Sequence, residues 1–270
     1  MAVLVDAHVH LLPDRLAAAI RSFLERGLPG YVLYPHQLDT ARAALDAAGV
    51  TRCWSLPYAH KPGMARDLNR WMAETFTGDP LVVGGATLHP GDDVAAEVAE
   101  ALDVLGLRLV KLHCSVGAFA ADDERLDPLW RRVSDTGHPV VVHAGHALNG
   151  QTTAAELEPL ERVARRWPEA RIVLAHCGAP ATGAALDLLR RAPALCADLT
   201  PVGPALAAVS RDQVAGLEHR LLFGSDAPNT GVAVEEAVAH VRGLGLDVAA
   251  EAAILGGNAE RLLERRALAV

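Results

Sequence analysis

Asp6-Ala7-His8-Val9-His10-Leu11-Leu12-Pro13 carries the first apolar run of the chain into a pair of histidines two residues apart. An open, doubly wound α/β sheet would place a phosphate or nucleotide loop after its first strand. This stretch is nothing of the kind. In an extended chain, residues two apart point to the same side. His8 and His10 can therefore both face one metal ion, and neutral imidazole nitrogens are good ligands for zinc and its neighbours.

Outward from there, short apolar runs recur, and each is followed by an Ala/Leu/Glu/Arg-rich stretch of helical periodicity. The pattern predicts strands over Val3–Ala7, Arg52–Leu56, Leu81–Ala86, Leu107–Leu112, Val140–His143, Ile172–His176, Leu195–Asp198 and Leu221–Gly224. Most are apolar throughout, as parallel strands covered on both faces are. Helices are expected over Asp14–Glu25, Ala65–Phe76, Asp92–Leu105, Leu126–Thr136, Ala154–Trp167, Ala184–Arg191, Pro204–Leu217 and Val232–Gly243. Asp92 or Asp93 caps the third of these and Thr152 or Thr153 the fifth. Gly49, Gly106, Gly137 and Gly245 end helices. Eight βα units without a long linker make a closed α/β barrel, a (β/α)8 TIM barrel, the fold to expect, with residues 1–270 as one domain. Two connections exceed what a barrel needs. They are Arg26–Asp39, with Tyr31, Tyr34 and His36, and Gly145–Thr153, with His146 and Asn149.

The length of 270 residues and the 51% hydrophobic content allow one large core. The net charge of -8 is spread over interspersed acids and bases, with no basic stripe for a phosphate backbone, so nucleic acid is not an expected partner. Cys53, Cys114, Cys177 and Cys196 stand singly and read as reduced thiols. The N-terminal apolar run is too short for a signal-peptide core, and no run is long enough to span a bilayer. The expectation is a cytoplasmic protein with a small-molecule substrate, no membrane partner and a homodimer as the default assembly.

His143 closes Pro139-Val-Val-Val-His143, His176 closes Ile172-Val-Leu-Ala-His176, and Asp226 follows Leu221-Leu-Phe-Gly-Ser. With His8 and His10, these residues lie at the C-terminal ends of candidate strands 1, 5, 6 and 8, where barrel active sites are built. A single histidine ending an apolar strand is usually a satisfied core group. Five such residues at equivalent ends point to a metal.

The sequence at this point resembles the amidohydrolase-related branch of the amidohydrolase superfamily, which includes aminocarboxymuconate-semialdehyde decarboxylase. The motifs are DAHVH (6–10), LHPGD (88–92), GLRLVKLH (106–113), LDPLW (126–130), PVVVHAG (139–145), LAHCG (174–178), FGSDAP (223–228) and GNAERLL (257–263). The resemblance implies His8, His10, His143 and Asp226 as metal ligands, with Asp226 also shuttling protons. It implies His176 as a ligand in a binuclear site or a catalytic group in a mononuclear one. Lys111 is either a carboxylated lysine bridging two metals or a free lysine facing a substrate anion or Asp226. One divalent ion, zinc, is expected, with two as the alternative. Where many relatives have proline after the strand-4 histidine, this chain has Cys114.

His113, two residues beyond Lys111, shares its side. With Lys111, His146 and Tyr58, it completes the candidate substrate contacts. His36, His138, His219 and His240 lack strand-end placement and read as surface residues. Asp198 can orient a ligand, and Asn258 can cap the last helix and tie it to the barrel. The activity expected is metal-dependent hydrolysis of an amide, lactone or other ester of a small molecule. A metal-activated water would attack, Asp226 would take its proton, and the metal or His176 would polarise the carbonyl. The alternative is a metal-dependent decarboxylase of a small unsaturated or aromatic acid. A third reading, a barrel that binds metal or ligand without turnover, is disfavoured by the intact ligand set.

Overall fold

The computed structural model describes residues 3–27, 32–145, 153–201 and 209–264, the side chain of Ala154 excepted. Eight parallel strands follow one another in chain order: β1 (Val5–Val9), β2 (Arg52–Ser55), β3 (Val82–Thr87), β4 (Leu109–Leu112), β5 (Val140–Val142), β6 (Ile172–Leu174), β7 (Leu195–Asp198) and β8 (Leu221–Leu222). The end of β8 returns to β1. Ala7 N–H donates to Phe223 O (2.9 Å), Asp226 N–H to His8 O (2.8 Å) and His10 N–H to Ala227 O (2.8 Å). The sheet is thereby closed into a barrel without exposed strand edges.

The outer layer is helical: α1 (Asp14–Gly27), α2 (Leu38–Ala47), α3 (Ala65–Phe76), α4 (Val94–Ala99), α5 (Cys114–Gly117), α6 (Asp127–Thr136), α7 (Thr153–Arg166), α8 (Thr182–Arg191), α9 (Arg211–Val214), α10 (Val234–Gly243), α11 (Val248–Ala252) and α12 (Asn258–Leu263). None of the described helices is long and apolar enough to cross a membrane. Strand alternation sorts side chains between two cores. Trp54, Val83, Leu109, Val141, Val173 and Leu222 fill the barrel interior. Val110, Val140, Val142, Ile172, Leu174 and Leu195 face the helices.

Helix α12 plugs the barrel at the end opposite the strand C-termini. Ala259, Leu262 and Leu263 join the interior cluster. Asn258 lies within the helical backbone rather than at a cap, and its Nδ2 donates to Glu218 O (2.7 Å) and Leu221 O (2.6 Å). Losing that donor would cost the buried Leu221 carbonyl about 1–3 kcal/mol, while Glu218 O keeps the Leu221 N–H.

Several elements differ from the sequence reading. α2 is a further helix, and its Ala41 and Leu45, one turn apart, are both buried. The run expected as one helix over Asp92–Leu105 is α4 followed by a π-helical turn at Glu100–Val104. Asp93 caps α4 by accepting from Ala96 N–H, whereas Asp92 accepts from Gly63 N–H. Within Pro204–Leu217, residues 211–214 form α9, and 204–208 lie outside the described residues, as do Tyr31, His146, Asn149 and Thr152.

Candidate metal centre and active site

Three histidines are locked by the same device. His8 Nδ1–H donates to Asp198 Oδ2 (2.9 Å), His10 Nδ1–H to Leu56 O (2.6 Å), and His176 Nδ1–H to Pro201 O (3.2 Å). A carboxylate or carbonyl can only accept, so the proton is on Nδ1 and each Nε2 presents a lone pair. Partners of this kind are what orient imidazoles towards a metal.

Asp226 meets these lone pairs. Its Oδ1 lies 3.0 Å from His10 Nε2 and 3.7 Å from His8 Nε2. The ligand atoms of His8, His10 and Asp226 lie within 4.8 Å of one another. A lone pair facing a carboxylate oxygen at 3.0 Å needs a cation between them, a proton or a metal. The donor set, two neutral imidazoles and a carboxylate on a closed barrel, fits a divalent metal. Burial would raise the Asp226 pKa, but the close contact with His10 and the neighbouring imidazoles hold it below the usual carboxylate value.

The backbone makes this cluster in two ways. A register shift in β1 between Asp6 and Val9 changes which face the strand presents. Val5 and Ala7 point into the barrel interior, while Val9 joins the outer core. His8 and His10 are thereby placed on the mouth side. Asp6, fully buried within β1, accepts from His8 N–H (3.1 Å) and Ser225 N–H (3.0 Å), and burial pushes its carboxyl up to about 7. Asp226 itself has a left-handed backbone (φ 63°), as does His176 (φ 58°). Gly224 lets the strands close here, since a Cβ on it would lie 2.8 Å from His8 Cβ and collide with Thr200 Oγ1.

His143 and His176 flank the cluster without entering it. Their ring centroids are 4.8 Å apart, and His176 is 4.8 Å from His8. His143 is stacked on His113 at 3.8 Å, and its buried Nε2 has no hydrogen-bond partner among the described residues. Burial and the neighbouring positive groups hold His113 and His143 well below the usual imidazole range.

Lys111 is fully buried, and its Nζ donates to His8 Nε2 (3.1 Å). Burial depresses its ammonium to about 8, and burial with Lys111 close by takes His8 down to about 3. A metal on His8 would have to take this lone pair from Lys111.

Tyr58 lies between His10 and His113, with ring centroids 5.3 and 5.0 Å away. Its hydroxyl bonds to the Asn229 side chain, which also accepts from His36 Nε2–H (2.6 Å). Asn229 N–H in turn donates to Asp226 O (2.7 Å). Asn229 and His36 thus belong to the mouth, and the sequence reading missed both. His36, expected at the surface, is buried, as is His138. The signal available was AsnThr immediately after FGSDAP (223–228), close to a strand end. His89 is a loop tie: its Nε2–H donates to Gly117 O (3.1 Å), and Nδ1 accepts from Gly91 N–H (3.0 Å). His60 and Lys61 are exposed.

The amidohydrolase family model matches residues 5–265. The chain belongs to the amidohydrolase family. Solved structures with the same fold span it almost end to end. A TIM-barrel protein from Bordetella bronchiseptica is 24% identical with a TM-score of 0.77, covering 96% of this chain and 98% of its own. A 5-carboxyvanillate decarboxylase from Sphingomonas paucimobilis is 18% identical, TM-score 0.74, covering 97% and 99%. A dihydroxybenzoic acid decarboxylase from a Polaromonas species, with bound manganese and the inhibitor 2-nitroresorcinol, is 16% identical, TM-score 0.74, covering 97% of each chain. None of the curated protein sequences matches this amidohydrolase-family chain.

Proposed function

We propose that the chain is a metal-dependent decarboxylase of a small aromatic or unsaturated acid, acting in the barrel mouth as one catalytic unit. The observation that carries this reading is the convergence of the His8 and His10 lone pairs on the Asp226 carboxylate, beside His176 and the buried ammonium of Lys111. The solved decarboxylases of the same fold support the choice of reaction.

His8, His10, Asp226 and, from the flank, His143 would hold a divalent ion. When bound, that ion supplies a fixed positive charge that orients an anionic substrate and offsets charge building on its carbon skeleton. Zinc suits the imidazoles, and manganese, as in the Polaromonas enzyme, suits a site with a carboxylate. The residues handle the proton. In decarboxylation a proton joins the carbon that bears the carboxylate, the carbon–carbon bond breaks, and carbon dioxide leaves. Asp226 and His176 would take up a proton from solvent and relay it to that carbon. Lys111, uncarboxylated, balances the buried carboxylates of Asp198 and Asp226, both of which act on it favourably.

Hydrolysis of an amide, lactone or ester is the second reading, because a carboxylate beside His10 also suits removal of a proton from water. Product analysis separates the two. Protein reconstituted with manganese or zinc is incubated with hydroxybenzoic and unsaturated acids and, separately, with aryl esters, anilides and lactones. Carbon dioxide release from the acids is expected. Turnover of the esters or lactones with no carbon dioxide from any acid would replace this reading by the hydrolytic one.

A further inference from the structure

Next to the mouth lies a cavity of about 310 Å³ between α5, the turn after it and the start of α7. This is near the lower end of the ~300–1,000 Å³ of small-molecule sites. Cys114, Phe119, Val142 and Pro159 make its walls apolar, and His143 and Glu156 are its polar groups. His143 is shared with the mouth, through its stack on His113 and its contact with His176. The cavity therefore adjoins the proposed reaction centre.

Glu156 is the anomaly. It is only 8% exposed, and apart from the Gly145 backbone N–H that faces it, neither carboxyl oxygen has a hydrogen-bond partner among the described residues. Burial pushes its carboxyl up to about 7 against the influence of the Gly145 backbone. Burial and this neighbour raise the Cys114 thiol to about 12, so Cys114 stays protonated and serves as wall rather than nucleophile. A buried acceptor without a donor costs free energy, and a ligand that brings the donor recovers it.

We propose that this cavity receives the end of the substrate remote from the reacting carboxylate, and that Glu156 selects it. The ligand end is an apolar ring or chain carrying a hydrogen-bond donor, either a hydroxyl or an ammonium. A second carboxylate or a phosphate at that end would face Glu156 and be rejected. The assignment rests on the barrel mouth being the active site, whatever the reaction it runs.

The test is a binding titration by ligand-observed NMR on the metal-reconstituted full chain, with phenol, benzylamine and toluene as probes. Glu156→Leu and Glu156→Gln are compared with the unmodified protein after circular dichroism shows all three folded. Binding of phenol, of benzylamine or of both is expected, with intermolecular NOEs to the Phe119 ring. In Glu156→Leu the donor-bearing probes should bind about tenfold more weakly or worse, while toluene changes less than about twofold. Phenol alone assigns the donor as a hydroxyl, and benzylamine alone assigns it as an ammonium. If neither binds, or if their affinity is the same in Glu156→Leu, the proposal is overturned. The NOEs and the wild-type titration do not depend on the variants folding. These are binding readouts, so a failure of the decarboxylation assay leaves them interpretable.

Discussion

The two sides of the barrel mouth are built differently. On the β4–β5 side, plain strand alternation aims the polar groups. Leu109, Lys111 and His113 share one parity, and so do Val141 and His143, with the inner members of each series in the barrel core. On the β6–β8 side the chain leaves alternation. Val173 and Ala175 point inward, so parity would send Cys177 to the mouth. Left-handed backbone at His176 and Cys177 turns His176 in and buries Cys177 in the outer core. Non-glycine residues in that region cost about 1–2 kcal/mol each, and such strain clusters where function needs it. The regular side is a scaffold. The strained side, with Asp226, carries the groups to which the proposed function gives the proton.

The comparison can be tested from its strained side first. Asp226→Asn keeps the shape and removes the charge, and turnover should fall by about 10²–10⁴-fold with circular dichroism and Tm nearly unchanged. Near-normal turnover would mean that the strained side is not where the proton is handled.

Asp198, at the end of β7, ties His8 of β1 to the strained side, accepting from His8 Nδ1–H and from His176 N–H (2.7 Å). Against burial, these contacts keep its carboxyl below the usual range. Asp198→Asn should weaken metal affinity about 10–100-fold in a competition titration. Unchanged affinity would show that His8 needs no orienting partner.

Gly224→Ala should destabilise by about 1–3 kcal/mol in urea unfolding, because a Cβ there meets His8. Gly106→Ala is the control: it has positive φ (69°) but open space around it, so its cost should stay near 1 kcal/mol. Equal costs would remove packing against His8 from the explanation.

The last effect is on the regular side. The Glu156 carboxyl lies at about 7 against an ordinary 4.5. The folded protein thus holds this proton more tightly than the unfolded chain. Stability from Glu156 is complete below about pH 4.5 and is lost as pH rises towards 7. Relative to Glu156→Gln, the unmodified protein should lose about 3 kcal/mol between pH 4.5 and 8 in urea unfolding. Parallel pH profiles would place Glu156 in contact with solvent.

Much of this was legible in the residues. The apolar runs ending in His143, His176 and Asp226 announced both the strands and their polar ends, because burial on two faces leaves little else for such runs to be. What was not legible has physical causes. Glu156 reads as an ordinary acid in the first turn of a helix, favourable beside the N-terminal dipole. Nothing in its neighbours announces an apolar cavity. Asn229 and His36 come together from positions 193 residues apart. α2 begins at the end of the long connection Arg26–Asp39 and was marked in the sequence only by Gly49 at its far end; what Ala41 and Leu45 pack against defines it.

By itself, the sequence determined the alternation of buried strands and amphipathic helices, and hence a barrel of parallel strands with histidines and a carboxylate at its C-terminal ends. Periodicity and burial are local properties of the chain, so they can be read locally. Tertiary structure alone decided which way those end residues face. The register shift in β1 and the left-handed turn at Asp226 go with closure between β8 and β1, and the turn at His176 with its N–H bond to Asp198 on β7. It also decided which groups are left buried without a partner, since desolvation is set by neighbours brought from elsewhere in the chain.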